Sequence, residues 1–491
     1  MSPTIAPPRC PGRPARRQRG ALFISFALLM VALLGFIGIA LDLAQLYARQ
    51  VELQNMADAV ALAAARQLNG KAAGVAAALS QARQTAELSR SRFSGTFSWS
   101  NAALRFSATP DAAAAAWIDA GVAAGAPAAL LYARVDSAAL PDAQGAVQTF
   151  FMRLFHPALA QIDLSGRAVA GRASLQVTPL AICAMSASAA ASRLNPGPPV
   201  TNELVEYGFR RGVGYNLLNL NPDGASARSF VLDPLTPPGQ AGSGAQQTAA
   251  FVLPFVCAGS VPLTSLTGGA VRVSSPFPAA LTSALNARFD QYGGGCDPGA
   301  APPDINIKQY TGGGAGWWMT TTPAAQSAAA TAAGVIPLRT VADLAPQSPP
   351  PAGLTATAYG PLWSYARAVH YAAAEPATGY VPFARADWAS LYPGNPTAAA
   401  ATGLYTATFV PYAAVSGGNM VPPSRHGVRA RRVLNVPLLA CPVAAGANVP
   451  AQVLAVGRFF MTAQAGGGAI YAEFAGVVKD QALGGPVELF Q

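Results

Sequence analysis

Histidine is scarce in this chain of 491 residues: His156, His370 and His426 are the only three, and each stands alone. No HxxxH, CxxC or HExxH occurs, so the short spacings from which a helix or turn builds a zinc site are missing. A GxSxG nucleophile elbow and a GxxxxGK[ST] phosphate loop are missing too. The glycine triplets beginning at Gly293, Gly312 and Gly466 have no lysine after them to reach a phosphate. A nucleophile and its base can still meet from distant positions. The expectation is nevertheless a protein without catalytic, cofactor-binding or metal-binding residues.

Charge is sparse as well, at 11% of residues against 52% hydrophobic, a balance too apolar for a disordered chain. Of the net charge of +10, half equals five arginines at the start, Arg9, Arg13, Arg16, Arg17 and Arg19. Beyond them only RHGVRARR, Arg425 to Arg432, forms a basic cluster. It reads as a solvated loop or a contact with an anionic surface, and no nucleic-acid signature accompanies it.

What the chain does have is one long apolar run. Ala21 to Leu41 contains no charged side chain. As a helix it covers about 30 Å, the thickness of a bilayer's hydrocarbon core, while satisfying its own backbone hydrogen bonds. The arginines precede it and Asp42, Arg49 and Glu52 follow, so the positive-inside bias keeps the N-terminus in the cytoplasm and the rest outside. A cleavable signal peptide has a shorter apolar core, about 7 to 15 residues, and ends in a small-x-small site that is not evident here.

The helical pattern continues past the membrane boundary. Leu46, Leu53 and Val60 recur at seven-residue spacing, with Met56, Ala57, Ala63 and Ala64 filling the same face and Asn69-Gly70 as a stop. The small side chains Ala57, Ala61 and Ala64 allow another helix to approach closely. Leu46, Leu53, Met56, Ala57, Val60 and Ala64 are therefore read as helix-packing residues, and much of a helix of roughly 75 Å is expected to project from the membrane.

RRQRG, the apolar helix ending at Asp42, and above all LQNMADAVALAAAR, Leu53 to Arg66, resemble the N-terminal segment of TadG-like proteins of tight-adherence (Tad, Flp-type) pilus assembly. The resemblance implies an inner-membrane, single-pass, largely periplasmic protein whose helix meets other pilus components. Related pseudopilins are cut after a glycine and carry Glu five residues later. Here Gly20 is followed at that distance by Ser25, so an uncleaved anchor is expected. Many TadG relatives also carry a von Willebrand A domain, whose cation site needs Asp-x-Ser-x-Ser. The nearest stretch, Asp163-Leu-Ser165-Gly-Arg167, ends in a cation and reads as a turn. NLNPDG, Asn219 to Gly224, lacks the distal Glu of a calcium loop and reads as a turn also.

Of the five cysteines, Cys10 lies in the basic tail, leaving Cys183, Cys257, Cys296 and Cys441 in the exported region. Four cysteines in an oxidising compartment imply two disulfides, with three possible pairings. Cys183 with Cys257 and Cys296 with Cys441 is the pairing favoured at this point.

In chain order, 1–19 is a basic tail and 20–70 the transmembrane and extended helix. Residues 71–180 form a small α+β module, with a helix over Lys71 to Arg92 and strands in FSGTFSW, ALRFSA, LLYARVDSA, AVQTFFMRLF and GRAVAGRASLQVTPLAIC. Residues 181–491, with turn signals such as NPGPP, SPPPAG and YPGNP among 48 glycines and 42 prolines, form a β-rich domain. Its strand candidates are FVLPFV, AVRVSS, TATFVPYAAV, RRVLNVPLLAC and AIYAEFAGVV, with a helix in PAALTSALNARFDQY. The fold class expected is α+β, and the function expected is non-enzymatic assembly or anchoring of a Tad-type pilus. A membrane-tethered binding protein or adhesin unrelated to pili is the alternative.

Overall fold

The computed structural model describes residues 21–69, 72–310 and 361–490, apart from 92–94, 128–129, 142–143, 173, 196–198, 221, 223–228, 264, 267–268, 377, 393–408 and 479–482. The basic tail, the Gly312 triplet, SPPPAG, most of YPGNP and half of NLNPDG lie outside the described residues.

One helix, α1, runs unbroken over Ala21–Gln67, 47 residues. Nothing in that stretch interrupts it: there is no proline, and Gly35 and Gly38 are its two glycines. The second helix, α2 (Ala72–Leu88), packs against it through Val75, Ala78, Ala82 and Ala86, all buried at near four-residue spacing. Beneath the pair lies a four-stranded antiparallel sheet, in the order Val487–Phe490, Arg167–Arg172, Tyr132–Asp136, Leu104–Ser107. Its alternating residues Leu104, Phe106, Ala133, Val135, Ala168 and Ala170 join the buried residues of α1 in one core. The strand Val487–Phe490, which follows the larger module in sequence, completes the sheet.

Two features of this module differ from the expectation. The outer half of α1 does not project freely, because the module wraps it. Leu53, Met56, Ala57, Val60 and Ala64 are all at most 2% exposed, covered by the chain's own α2 and sheet, and Leu46 is half-buried. The small residues do permit close approach, but the helix that approaches is intramolecular.

The larger module is built on an eight-stranded sheet, ordered Gly214–Asn216, Tyr471–Val478, Val453–Met461, Val433–Leu439, Leu180–Cys183, Ser229–Leu232, Val271–Ser274, Val449–Ala451. Every pairing is antiparallel except Val433–Leu439 beside Leu180–Cys183, which is parallel. Both faces are covered: Leu180 and Ile182 point into one core, Ala181 and Cys183 into another. That explains why Leu180–Cys183 is a continuous apolar run rather than an alternating one.

That parallel pairing decides the disulfides. It aligns Leu439 with Cys183, which brings Cys441, two residues on, within bonding reach. Cys183 bonds to Cys441 and Cys257 to Cys296, with Cα separations of 5.6 and 5.5 Å. The pairing of Cys183 with Cys257 is overturned.

FVLPFV is also corrected, from strand to helix (Ala249–Ala258). Val252, Val256 and Cys257 fall on one buried side, and Phe251 and Phe255, one turn apart, bring their rings to 6.1 Å. Gly259, at φ +76°, ends the helix by giving its N–H to Phe255 at 2.8 Å. Of TATFVPYAAV, the described part contains a 3-10 turn at Pro411–Ala413 and no strand.

Candidate functional site

The membrane end of α1 carries the features that bear on function. Between Phe23 and Leu41 nearly every large apolar side chain is exposed: Phe23, Phe26, Leu28, Leu33, Phe36 and Leu41 are all at least half exposed. α1 is long and apolar enough to cross a bilayer, with almost none of its most apolar stretch covered by protein.

Asp42 marks the change. Its carboxylate accepts the backbone N–H groups of Phe150 (3.1 Å), Phe151 (2.8 Å) and Met152 (2.7 Å), a loop 108 to 110 residues away in sequence. Partial desolvation raises its pKa, but the three amide donors and the nearby Arg153 outweigh that and hold the carboxyl below its ordinary range. A carboxylate ending the apolar stretch of α1 thus has a structural task.

The polar residues beyond it dock the module. Arg49, 2% exposed, donates to the Gln144 carbonyl at 2.9 Å and to Glu52 at 3.1 Å, and lies 5.2 Å from the centre of the Phe97 ring. Gln50 donates to the Ser165 carbonyl at 3.1 Å. Gln54 donates to the Arg167 carbonyl at 2.9 Å and accepts the Arg167 N–H at 3.3 Å. Gly166 lies so close that an added Cβ would meet the Leu53 carbonyl at 2.6 Å. The stretch of sequence that resembles pilus-assembly proteins is therefore also the stretch that holds the helix to its own sheet.

One stripe of the outer helix stays open. Leu43, Tyr47 and Val51, four residues apart, are 51%, 74% and 37% exposed.

Two of the four arginines in the basic cluster, Arg431 and Arg432, prove to be architectural. Arg432 is fully buried and donates to the carbonyls of Met461, Asn306, Lys308 and Thr462, between the rings of Phe289 and Phe460. Arg431 donates to those of Pro302, Ala258 and Cys257, and Arg425 pairs with Asp290 at 2.7 Å. The solvated-loop reading fails for Arg431 and Arg432, whose guanidiniums close gaps between carbonyls, and holds for Arg425 and Arg429, which are exposed. Next to them is a cavity of about 480 Å³ lined by Arg288, Arg429, Arg431 and Arg458, with no acidic side chain on its described wall. Burial, and beside it the charge of Arg431, push Arg288 down to about 9.

Asp163 ends a short strand (Gln161–Asp163), and Ser165, whose carbonyl receives Gln50, lies in the short irregular link to the strand Arg167–Arg172. Among the described residues no cluster of His, Cys, Asp and Glu is placed to hold a metal ion.

Among the described residues one helix, α1, is long and apolar enough to cross a membrane, and its outer half is the spine of an α+β module. Residues 20–67 match the family described as "Putative Flp pilus-assembly TadE/G-like", and that match ends where α1 ends. The resemblance read from LQNMADAVALAAAR is thus shown for the N-terminal region. Comparison with curated proteins gives no match, nor does comparison with solved structures.

Proposed function

We propose that this protein is a non-enzymatic, single-pass component of Tad/Flp-type pilus assembly in the bacterial inner membrane, with its N-terminus in the cytoplasm and its two modules in the periplasm. The observation that carries the reading is the coincidence of the pilus-assembly match with α1 itself. The five arginines before the span support the orientation. Because Ala57 and Ala64 are occupied inside the molecule, contact with other pilus components falls to the open stripe of Leu43, Tyr47 and Val51, continuous with the exposed span. A clean in-frame deletion with complementation tests this: pili should vanish in electron micrographs while the prepilin persists on immunoblots. Normal pili in the deletion strain would refute the assembly role.

A second reading, a tethered envelope-binding protein, is favoured by one observation, the arginine-lined cavity. Loss of surface adherence with normal pili, reproduced by Arg429→Glu with Arg458→Glu, would support it.

A further inference from the structure

The loop that Asp42 holds lies at the wrong height for a purely aqueous segment. It is the tip of a hairpin whose strands are Ala146–Gln148 and Gln161–Asp163. The tip folds down along α1: the ring of Phe151 covers Gly38 so closely that any side chain there would overlap it. An apolar groove of about 570 Å³ opens between Val31, Leu34 and Ile39 of the helix and Phe151, Leu154 and Phe155 of the tip. Counted inward from Leu41 at 1.5 Å per residue, Gly38 and Val31 lie about 5 and 15 Å below the end of the span. That range is the outer half of a hydrocarbon core about 30 Å thick.

The composition and bonding of the tip fit that depth. Phe150, Phe151, Leu154 and Phe155 are 58%, 38%, 77% and 65% exposed, an apolar density unusual for a water-facing turn. Irregular backbone is costly in hydrocarbon unless its polar groups are satisfied. Here Thr149 donates to Ala160, Phe150, Phe151 and Met152 to Asp42, Leu154 to Phe151, and both Phe155 and His156 to Met152. Arg153, exposed beside the Phe150 ring at 5.8 Å, has the length to reach a phosphate headgroup while its stem stays among the rings.

We propose that the Phe150–Phe155 tip is a second membrane element, a wedge seated in the outer leaflet of the bilayer that α1 crosses, with lipid acyl chains filling the groove. The wedge rests on the reading of α1 as a membrane span, and it fixes the height and tilt of the periplasmic modules over the membrane. A span alone leaves a helix free to rotate about its axis; a span with a wedge on one side does not.

The test uses the full chain with Cys10→Ser, reconstituted in phosphatidylethanolamine and phosphatidylglycerol vesicles. Single nitroxides are placed at Leu154→Cys, at Leu28→Cys in the span and at Val415→Cys on the exposed surface. Power saturation then compares collisions with oxygen, which concentrates in lipid, and with a water-soluble nickel chelate. The Leu154 label should show an oxygen-to-nickel ratio severalfold above that at Val415 and on the side of the Leu28 label. Gly38→Val, which removes the seat for Phe151, should bring the Leu154 ratio toward that of Val415 while leaving Leu28 in lipid. A Leu154 label in water beside a Leu28 label in lipid overturns the wedge alone, whereas a Leu28 label in water overturns the span itself. A Leu154 label shielded from both reagents means that protein rather than lipid covers the tip, and the wedge fails.

Discussion

Replacing Ala64 with aspartate separates an intramolecular role for the outer helix from an intermolecular one. Ala64 is fully buried in the core shared by α1, α2 and the small sheet. An aspartate there must either ionise without a partner or stay protonated. Keeping it neutral at pH 7 against an ordinary value near 3.9 costs about 4 kcal/mol. Forcing the larger side chain into a packed site adds about 1 to 3 kcal/mol. The sum, roughly 5 to 7 kcal/mol, is comparable to the whole stability of a typical domain. The small module should therefore unfold while the membrane span and the disulfide-bonded module persist. Limited proteolysis of the detergent-solubilised protein, read by mass spectrometry, should show new cuts between residues 72 and 172 and protection of the disulfide-linked fragment. Tyr47→Asp, on the open stripe, should leave that pattern unchanged, within about 0.5 kcal/mol of wild-type stability. If Ala64→Asp keeps wild-type protease resistance and loses only cross-links to another subunit, the intramolecular packing described above is refuted.

Three further outcomes are expected. Glu203 is fully buried and accepts both prongs of Arg210 at 2.8 Å and Arg193 at 3.1 Å, so Glu203→Ala takes the shared carboxylate from two buried cations and should cost about 3 to 5 kcal/mol in denaturant titration of the large module. Non-reducing peptide mapping should recover Cys183 with Cys441 and Cys257 with Cys296. By the chain-entropy relation, removing the first pair, 258 residues apart, should destabilise by about 1 to 2 kcal/mol more than removing the second, 39 apart. For Asp42, whose folded pKa is lowered, the contribution to holding the loop is present above the ordinary carboxyl value of 3.8 and is lost as pH falls through the folded value. Release of the Leu154 spin label into water on acidification should accordingly have a midpoint below 3.8, and a midpoint above it would contradict the assignment.

The span, the unbroken α1 and the α2 helix were legible because they rest on local properties: an uncharged run, a period of 3.6 and the lack of a helix breaker. Strands such as Val433–Leu439 and Tyr471–Val478 were legible for the same reason, being rich in branched and aromatic residues. What covers a helix face is a different matter, since alanines at Ala57 and Ala64 look alike whether the neighbour is a second subunit or residues 72–88 of the same chain. The docking roles of Arg49, Gln50 and Gln54 were hidden because their acceptors lie roughly 95 to 115 residues away. FVLPFV misled because Val and Phe favour strands intrinsically, whereas here a buried face and a disulfide at Cys257 decide the conformation. The disulfide pairing required knowing that a strand from the last fifth of the sequence inserts beside Leu180–Cys183, which no local signal encodes. The Asp42 site did carry a signal, an acid ending an apolar span followed much later by the apolar TFFMRLF. Only the fold shows that the two meet.

The strand Val487–Phe490, which closes the small sheet against Arg167–Arg172, bears on the order of folding. The chain leaves the small module after Arg172, builds the larger module and only then comes back to supply that strand. The contacts of α1 with α2 are local and can form early, whereas closure of the sheet needs a pairing across the whole of the larger module. Until that pairing forms, Arg167–Arg172 is an unpaired sheet edge, open to pairing with another chain.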